Sequence, residues 1–177
     1  MHEFHELVER CTFFTLNTLE TANNKIVEEL QVSSATTLIK ALQMIQLQKV
    51  ILAVGMFSIF EANLQESLCC ETDSYTFDKV KKVLIEKREF DIKENFEDLY
   101  DAINVLKHGR GRSYNNLVNK IKKLPFRVRQ PDEFFFSEGD VSEVSTLIEV
   151  DDSFIRHCSS VITNVSRLMY SYVNDSN

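Results

Sequence analysis

The longest uninterrupted helical pattern in this 177-residue chain runs from residue 35 to residue 68, and it limits what the rest can form. The stretch contains no proline and a single glycine, Gly55. Proline breaks helices and glycine weakens them, so their scarcity predicts one helix about 50 Å long, at 1.5 Å per residue. A helix of this length needs other helices along its apolar side, and we therefore expect a helical bundle.

Apolar residues recur at helical spacing on both sides of this stretch. They indicate one helix before it, three shorter helices after it and a long last helix capped by Asp151 or Asp152. Between residues 126 and 150 the period changes, and residues 134–136 and 144–150 are expected to form two short strands or an extended flap. The predicted fold is all-α, in a single domain over residues 1–177. It is an up-and-down bundle of five or six helices with a small β or extended insertion before the last one.

Residues 50–65 are apolar on nearly all sides, which predicts that this part of the long helix runs through the middle of the bundle. Gly55 would then permit close approach of another backbone, offsetting its cost of about 1 kcal/mol in a helix. The most apolar run, residues 50–60, is shorter than the roughly 20 residues that span a bilayer. The first residues also lack the pattern of a signal peptide. We expect a cytoplasmic protein that does not associate with membranes.

The cysteines Cys11, Cys69, Cys70 and Cys158 form no CxxC pair and have no metal-like spacing to a histidine. They are expected to be reduced thiols, as is usual in the cytosol. Glycine-rich nucleotide loops and the GxSxG pattern of hydrolases are absent from the sequence. We therefore expect neither a metal nor a cofactor.

Charge is distributed very unevenly along the chain. The net charge is −7, yet residues 102–131 contain no Asp or Glu and eight Lys or Arg, which leaves −15 for the other residues. A polyanion could bind the basic window and be repelled by the remainder. The eight residues are Lys107, Arg110, Arg112, Lys120, Lys122, Lys123, Arg127 and Arg129.

Asn104 and His108 are the candidate chemical groups at the start of this window. They are four residues apart, on one face of a predicted helix that ends at Gly109. Together these groups could cleave a phosphodiester without a metal. The histidine changes charge near neutral pH, the amide orients it, and the guanidinium groups of Arg110 and Arg112 bind the phosphate. The alternative is a helix end followed by a solvated basic turn, without chemistry.

Two segments of the chain resemble the HEPN superfamily (higher eukaryotes and prokaryotes nucleotide-binding) of all-helical domains. FSIFEANLQESL, residues 57–68, is similar to the family's apolar helix with an embedded acidic residue. INVLKHG, residues 103–109, is similar to its Arg-Asn-x-x-x-His signature followed by glycine. Asn104 and His108 match this signature in type and spacing, whereas Ile103 stands where the family has arginine.

The resemblance implies an RNA-acting protein of a toxin or phage-defence system, a homodimer whose two motifs face each other, and a cognate antitoxin or defence partner. It further implies metal-independent RNA cleavage, in which His108 transfers protons and Asn104 orients. Because Ile103 replaces the family's arginine, we expect Arg110 and Arg112, which are close in sequence, to bind phosphate instead. Lys107, Lys120, Lys122, Lys123, Arg127 and Arg129 would bind the nucleic acid. The alternative is a non-catalytic module that lacks the arginine and holds a partner protein or nucleic acid through residues 102–131.

Overall fold

The computed structural model describes residues 2–33, 35–70, 72–133, 135 and 144–175, and over these residues the chain is an all-α helical bundle. A short 3₁₀ turn, Ile121–Lys123, follows the fifth helix. The six α-helices in chain order are α1 (His2–Leu30), α2 (Thr36–Ser67), α3 (Asp73–Glu86), α4 (Phe90–His108), α5 (Arg112–Asn119) and α6 (Asp152–Asp175). The predicted fold class and the long second helix are thus confirmed.

The last helix, α6, lies at the centre of the bundle. It packs against α1, α2, α3 and α4. Buried residues recur along almost its whole length, from Phe154 and Ile155 near its start to Met169 near its end. The predicted cap is present, since the backbone N–H of Phe154 donates to the carboxylate of Asp151 at 2.7 Å. The capped, amphipathic last helix therefore organises the core.

The expectation that α2 runs through the middle of the bundle is wrong. Its core side is buried, with Ala53, Phe57 and Phe60 fully enclosed, but Ile51 on the opposite side is 61% exposed and Ile59 is 56% exposed. The expected packing reason for Gly55 also fails among the residues that the structure describes, because a Cβ at that position would meet no atom of theirs within 4 Å. An apolar pattern identifies surfaces that avoid water, but it does not identify what covers them.

By length and composition, α2 is apolar enough to cross a membrane. An 18-residue window within it has a mean hydropathy of 1.4, and 22% of that window is buried. The apolar run is thus longer than residues 50–60. Core helices of soluble proteins can pass the same test, so the absence of membrane association stays a prediction.

The insertion before α6 is extended rather than a pair of strands in the part that the structure describes. Val128 and Ile148 form one antiparallel bridge, in which Arg129 N–H donates to the Leu147 carbonyl at 2.8 Å and Glu149 N–H to that of Arg127 at 3.1 Å. Residues 144–150 therefore pair with the segment that follows α5. Of residues 134–136, which were expected to form a strand, positions 134 and 136 lie outside the described residues.

Aromatic rings fill the space between α2, α3 and α4. Phe96 lies 6.3 Å from both Phe57 and Phe60 between ring centroids, and Phe77 of α3 lies 4.1 Å from Tyr100 of α4. Rings at such distances contribute packing beyond their buried area. This cluster fixes α4 against its neighbours and thereby positions the polar face that carries Asn104.

Candidate functional site

The candidate site is built on the end of α4 and the start of α5. Gly109 has φ +76°, a conformation that residues with a Cβ rarely adopt, and its N–H donates to the Val105 carbonyl at 2.8 Å. The chain then turns through Arg110 and Gly111, and α5 begins at Arg112 without a side-chain cap. The turn predicted from the glycines is therefore present, and it presents the N-terminus of α5 without a capping side chain.

The core face of α4 decides which motif residues can reach solvent. Leu99 is fully buried and Ile103 is 1% exposed, as the sequence predicted. The next position along the helix faces outward, so Asn104 is half-buried, and His108 at the last turn is exposed. The position where the HEPN signature has arginine is thus part of the core in this protein, and Ile103 fits it.

Four cationic or titratable side chains surround the turn within six residues. Lys107, His108, Arg110 and Arg112 are all exposed. The Arg110 guanidinium lies 5.7 Å from the centroid of the Tyr114 ring, a cation–π distance. The segment at residues 126–150 therefore does not cover the turn, at least in the part of that segment that the structure describes.

Tyr114 links the turn to the extended segment. Its side chain is buried, and its hydroxyl donates to the Arg129 carbonyl at 2.7 Å. Because Arg110 lies against this ring, the position of the guanidinium depends on a fixed part of the fold. The structure thus gives Arg110 a restrained geometry that the sequence alone did not indicate.

A polar groove of about 810 Å³ lies between α3, α4 and α5. Asn104 and Arg112 both line it, whereas His108 and Arg110 do not. Two of the four candidate catalytic residues therefore share the groove, and the other two project from the turn beside it. Across the groove, the Asn116 amide donates to the Asp101 carboxylate at 3.1 Å, which joins α5 to α4.

The groove contains both signs of charge. Its acidic lining residues are Asp78, Glu97 and Asp101, and its basic ones are Lys81, Arg112 and Lys120. Lys81 pairs with Asp78 at 2.8 Å. A polyanion is therefore attracted less to the groove than to the turn, where the exposed side chains are cationic or titratable.

Lys120 is bound to a buried carboxylate. Its ammonium forms an ion pair with Asp98 of α4, whose side chain is 4% exposed while that of Lys120 is 29% exposed. Burial raises the pKa of Asp98, and the hydrogen bond and charge of Lys120 act in the opposite direction. Lys120 thus stabilises the α4–α5 junction, and its charge is largely neutralised.

The other predicted nucleic-acid-binding residues differ in how far their charges are paired within the fold. Arg127 bridges Glu133 at 3.1 Å and Glu149 at 3.2 Å. The guanidinium of Arg129 donates to the Ser145 hydroxyl at 3.0 Å. Lys107, Lys122 and Lys123 are exposed, and no ion pair involves them among the residues that the structure describes. Folding therefore pairs Arg127 with carboxylates, whereas Arg129 contacts only a neutral hydroxyl and keeps its positive charge.

Sequence reasoning did not assign Phe77 and Tyr100 to the site. Both line the groove, although their apolar spacing marked them as core residues. Tyr100 lies four residues before Asn104, on the same helical face, and this spacing was the available signal. The two rings pack on each other, and the Lys81 ammonium lies 4.6 Å from the Phe77 centroid at the groove.

Two further observations concern metals and thiols. Among residues 2–33, 35–70, 72–133, 135 and 144–175, no three His, Cys, Asp or Glu side chains cluster as a metal site would require. The four cysteines are free thiols: Cys11 and Cys69 are exposed, and Cys70 and Cys158 are buried. Burial raises the pKa of Cys158 to about 12. Cys158 is therefore a structural thiol in the centre of the bundle.

Comparison with known proteins adds no relative. No protein-family model, curated protein or solved structure matches this chain.

Proposed function

We propose that this protein is an HEPN-like RNA-binding domain that holds the phosphate backbone at the α4–α5 turn. The observation that carries the proposal is the exposed group Lys107, His108, Arg110 and Arg112 around the start of α5, where no side chain caps the helix. Backbone N–H groups at a helix start and nearby guanidinium groups both bind phosphate oxygens. The acidic remainder of the chain would keep a polyanion at this turn.

Single-stranded RNA is the ligand class that suits the adjacent groove. Phe77 and Tyr100 supply ring surface, and Asn104 supplies an amide that can both donate and accept. Unpaired bases stack on aromatic rings and present hydrogen-bonding edges, whereas paired bases do not. A backbone held at the turn could therefore place one base in the groove.

Metal-independent cleavage is a second candidate function, favoured by the exposure of His108 beside two arginines. In this scheme His108 takes the proton of the ribose 2′-hydroxyl, the 2′-oxygen attacks the phosphorus, and the bond from phosphorus to the 5′-oxygen breaks. The 5′-oxygen takes a proton from water, and His108 afterwards returns its proton to the solvent. The products are a 2′,3′-cyclic phosphate and a 5′-hydroxyl end. Arg110 and Arg112 would stabilise the charge on the phosphorane-like transition state, a role that buried Ile103 cannot fill.

Binding is tested with a fluorescently labelled single-stranded RNA of 20 nucleotides, by anisotropy over a salt series. The double substitution Arg110→Ala with Arg112→Ala should weaken binding and make the slope of log K against log salt less negative by roughly 1.4, since each phosphate contact on single strands contributes about 0.7. The charge-matched control is Lys25→Ala with Lys82→Ala, two exposed lysines on α1 and α3. The proposal fails if wild type does not bind, or if both double variants lose affinity equally.

Cleavage is tested on the same RNA in EDTA. Cyclic-phosphate products that are absent in His108→Ala, at protein concentrations that saturate the RNA with the variant, would establish the nuclease. If the protein binds this RNA but does not cleave it at any protein concentration, the non-catalytic module is supported, in which the turn binds RNA without cleaving it. The two assays thus separate the nuclease from the binding module.

A further inference from the structure

A groove of about 420 Å³ lies between α1 and α6. It shares no lining residue with the groove between α3, α4 and α5, and none of the exposed cations of the α4–α5 turn lines it. The α1–α6 groove, as we call it, has Glu9, Thr12 and Phe13 of α1 on one side. The other side is a polar stripe of α6 residues three or four apart: Arg156, Ser159, Ser160, Thr163, Asn164 and Arg167.

Two buried hydroxyl residues lie on the α6 side of this groove. Ser159 is 6% exposed and Thr163 is 3% exposed. The Oγ1 atom of Thr163 has no hydrogen-bond partner in the described part of the chain. Other helical hydroxyls of this protein have one, since Thr18 and Ser67 each donate to the carbonyl four residues earlier, at 2.8 and 2.7 Å. A buried hydroxyl without a partner destabilises a fold, so Thr163 calls for a partner that the described residues do not supply.

Close packing of α1 on α6 does not account for these hydroxyls. Small side chains allow two helices to approach closely, but here the helices leave a groove that Ser159 and Thr163 line. Alanine would serve close packing equally well and would bury no unpaired oxygen. A polar molecule in the groove would supply the missing partner, and it therefore explains the hydroxyls better than packing does.

The two ends of the α1–α6 groove differ in charge. Arg156 is exposed, and no ion pair involves it within the described residues. Arg167 lies eleven residues later, about 16 Å further along α6, and pairs with Glu9 at 3.5 Å. One end thus offers an unpaired guanidinium, and the other offers a carboxylate whose charge is balanced. Ser160 and Asn164 lie between these ends and supply neutral donors and acceptors.

We propose that the α1–α6 groove binds a small sugar phosphate. The phosphate lies at Arg156, where the guanidinium and the hydroxyl of Ser160 donate to its oxygens. The sugar hydroxyls bond to Asn164 and Thr163, and the Phe13 ring, which is 62% exposed, packs against the sugar carbons. The bound sugar thereby gives the Thr163 hydroxyl its partner.

The size and charge of the groove favour this ligand class over its neighbours. Its volume lies within the roughly 300–1,000 Å³ of small-molecule sites and far exceeds what a phosphate ion occupies. One unpaired cation matches one phosphate group. A nucleic-acid strand would bring further phosphates towards Glu9 and towards Glu6 and Glu20, exposed carboxylates of α1 that repel them. The inference therefore does not depend on RNA binding at the α4–α5 turn.

Isothermal titration calorimetry of the full chain tests the ligand class. The probes are ribose 5-phosphate, glucose 6-phosphate and glucose 1-phosphate, and glucose and inorganic phosphate serve as the two halves of the ligand. At least one sugar phosphate should bind about tenfold more tightly than either half. The proposal fails if none of the three binds at up to about 5 mM. It also fails if inorganic phosphate binds as tightly as they do, since the groove would then hold an ion only.

Tryptophan fluorescence locates the bound ligand, because the chain contains no tryptophan. Phe13→Trp places one in the groove wall, and the control Phe14→Trp places one on the next residue, which is 72% exposed and does not line the groove. The sugar phosphate should change the emission of Phe13→Trp saturably and leave that of Phe14→Trp constant. Equal responses of the two variants, or a loss of sugar-phosphate binding in Arg110→Ala with Arg112→Ala, would place the ligand elsewhere and overturn the proposal.

Two substitutions test the assigned contacts. Arg156→Gln should weaken binding about tenfold, whereas Arg10→Gln, at an exposed arginine of α1 outside the groove, should not. Thr163→Val keeps the side-chain shape and removes only the unpaired hydroxyl, so its thermal midpoint should match or exceed that of wild type while its affinity for the sugar phosphate falls. Unchanged affinity in Arg156→Gln, or a lower midpoint with unchanged affinity in Thr163→Val, would overturn the proposed site.

Discussion

Replacing Lys120 with methionine should destabilise the protein in a way that depends strongly on pH. The substitution removes the ammonium but keeps most of the side-chain volume, and it leaves the Asp98 carboxylate, 4% exposed, without its ion-pair partner. The carboxyl group then takes up a proton in the folded state. Protonation of Asp98 at pH 7 lowers the free energy of unfolding by at most about 4 kcal/mol. This limit is the difference between pH 7 and the ordinary aspartate pKa of about 3.9, multiplied by about 1.36 kcal/mol per pH unit. At pH 5 the same limit is about 1.5 kcal/mol.

The sign follows from the direction of the pKa shift. Burial raises the pKa of Asp98, so the folded protein binds this proton more tightly than the unfolded chain does. The contribution of Asp98 to stability therefore falls as pH rises from about 4 towards the folded pKa. Removing Lys120 raises the folded-state pKa of Asp98 further, so the stability of the variant continues to fall up to a higher pH. Wild type and Lys120→Met should thus have similar stabilities near pH 4 and diverge at pH 7.

Urea denaturation at pH 4.5, 5 and 7 measures this difference. We expect Lys120→Met to lose about 2–4 kcal/mol at pH 7 and less than half of that at pH 5. The matched control is Lys123→Met, an exposed lysine three residues away, which should change stability by less than about 0.5 kcal/mol. Adding Asp98→Asn to Lys120→Met should recover most of the loss, since no buried charge remains. A loss below 1 kcal/mol at pH 7, or an equal loss at pH 5, would refute the reasoning.

Two further predictions concern α6. Burial lowers the pKa of His157, and its Nε2 has no hydrogen-bond partner within the described residues, so stability should fall as pH drops below about 6.5. His157→Gln should flatten the stability curve between pH 6.5 and 5, and an unchanged curve would contradict this origin. Ellman's reagent should label two thiols of the folded protein quickly, Cys11 and Cys69. It should label Cys158, whose pKa burial raises to about 12, only in denaturant. Rapid labelling of a Cys158-only variant would refute its burial.

The helices themselves were predictable from the sequence because their signals are local. The proline-free stretch predicted α2, and Gly109 predicted the end of α4. Asp151 lies at the start of α6 and accepts the capping hydrogen bond. Each of these signals acts within one helical turn, through backbone conformation or a single hydrogen bond. The same local logic placed Ile103 in the core and Asn104 outside it.

The state of the basic window was decided by tertiary structure. Residues 102–131 contain no acidic residue, yet Asp98 binds Lys120, and Glu133 and Glu149 bind Arg127. These carboxylates come from outside the window and meet it only after the chain folds. A charge count along the sequence therefore overstates how much free positive charge the protein presents. The exposed charge that remains lies on Lys107, Arg110 and Arg112 at the α4–α5 turn and on Lys122 and Lys123.

The sequence by itself determined which segments are helical and that α4 ends at Gly109. Only the tertiary structure decided that α6, and not α2, occupies the centre, and that the side of α2 carrying Ile51 and Ile59 stays exposed in the described part of the chain. Helix formation depends on neighbours within four residues, whereas burial depends on what the rest of the chain places opposite a face. Gly55 shows both kinds of information: its place in α2 follows from the local sequence, whereas only the folded chain shows that a Cβ there would meet none of the described residues within 4 Å.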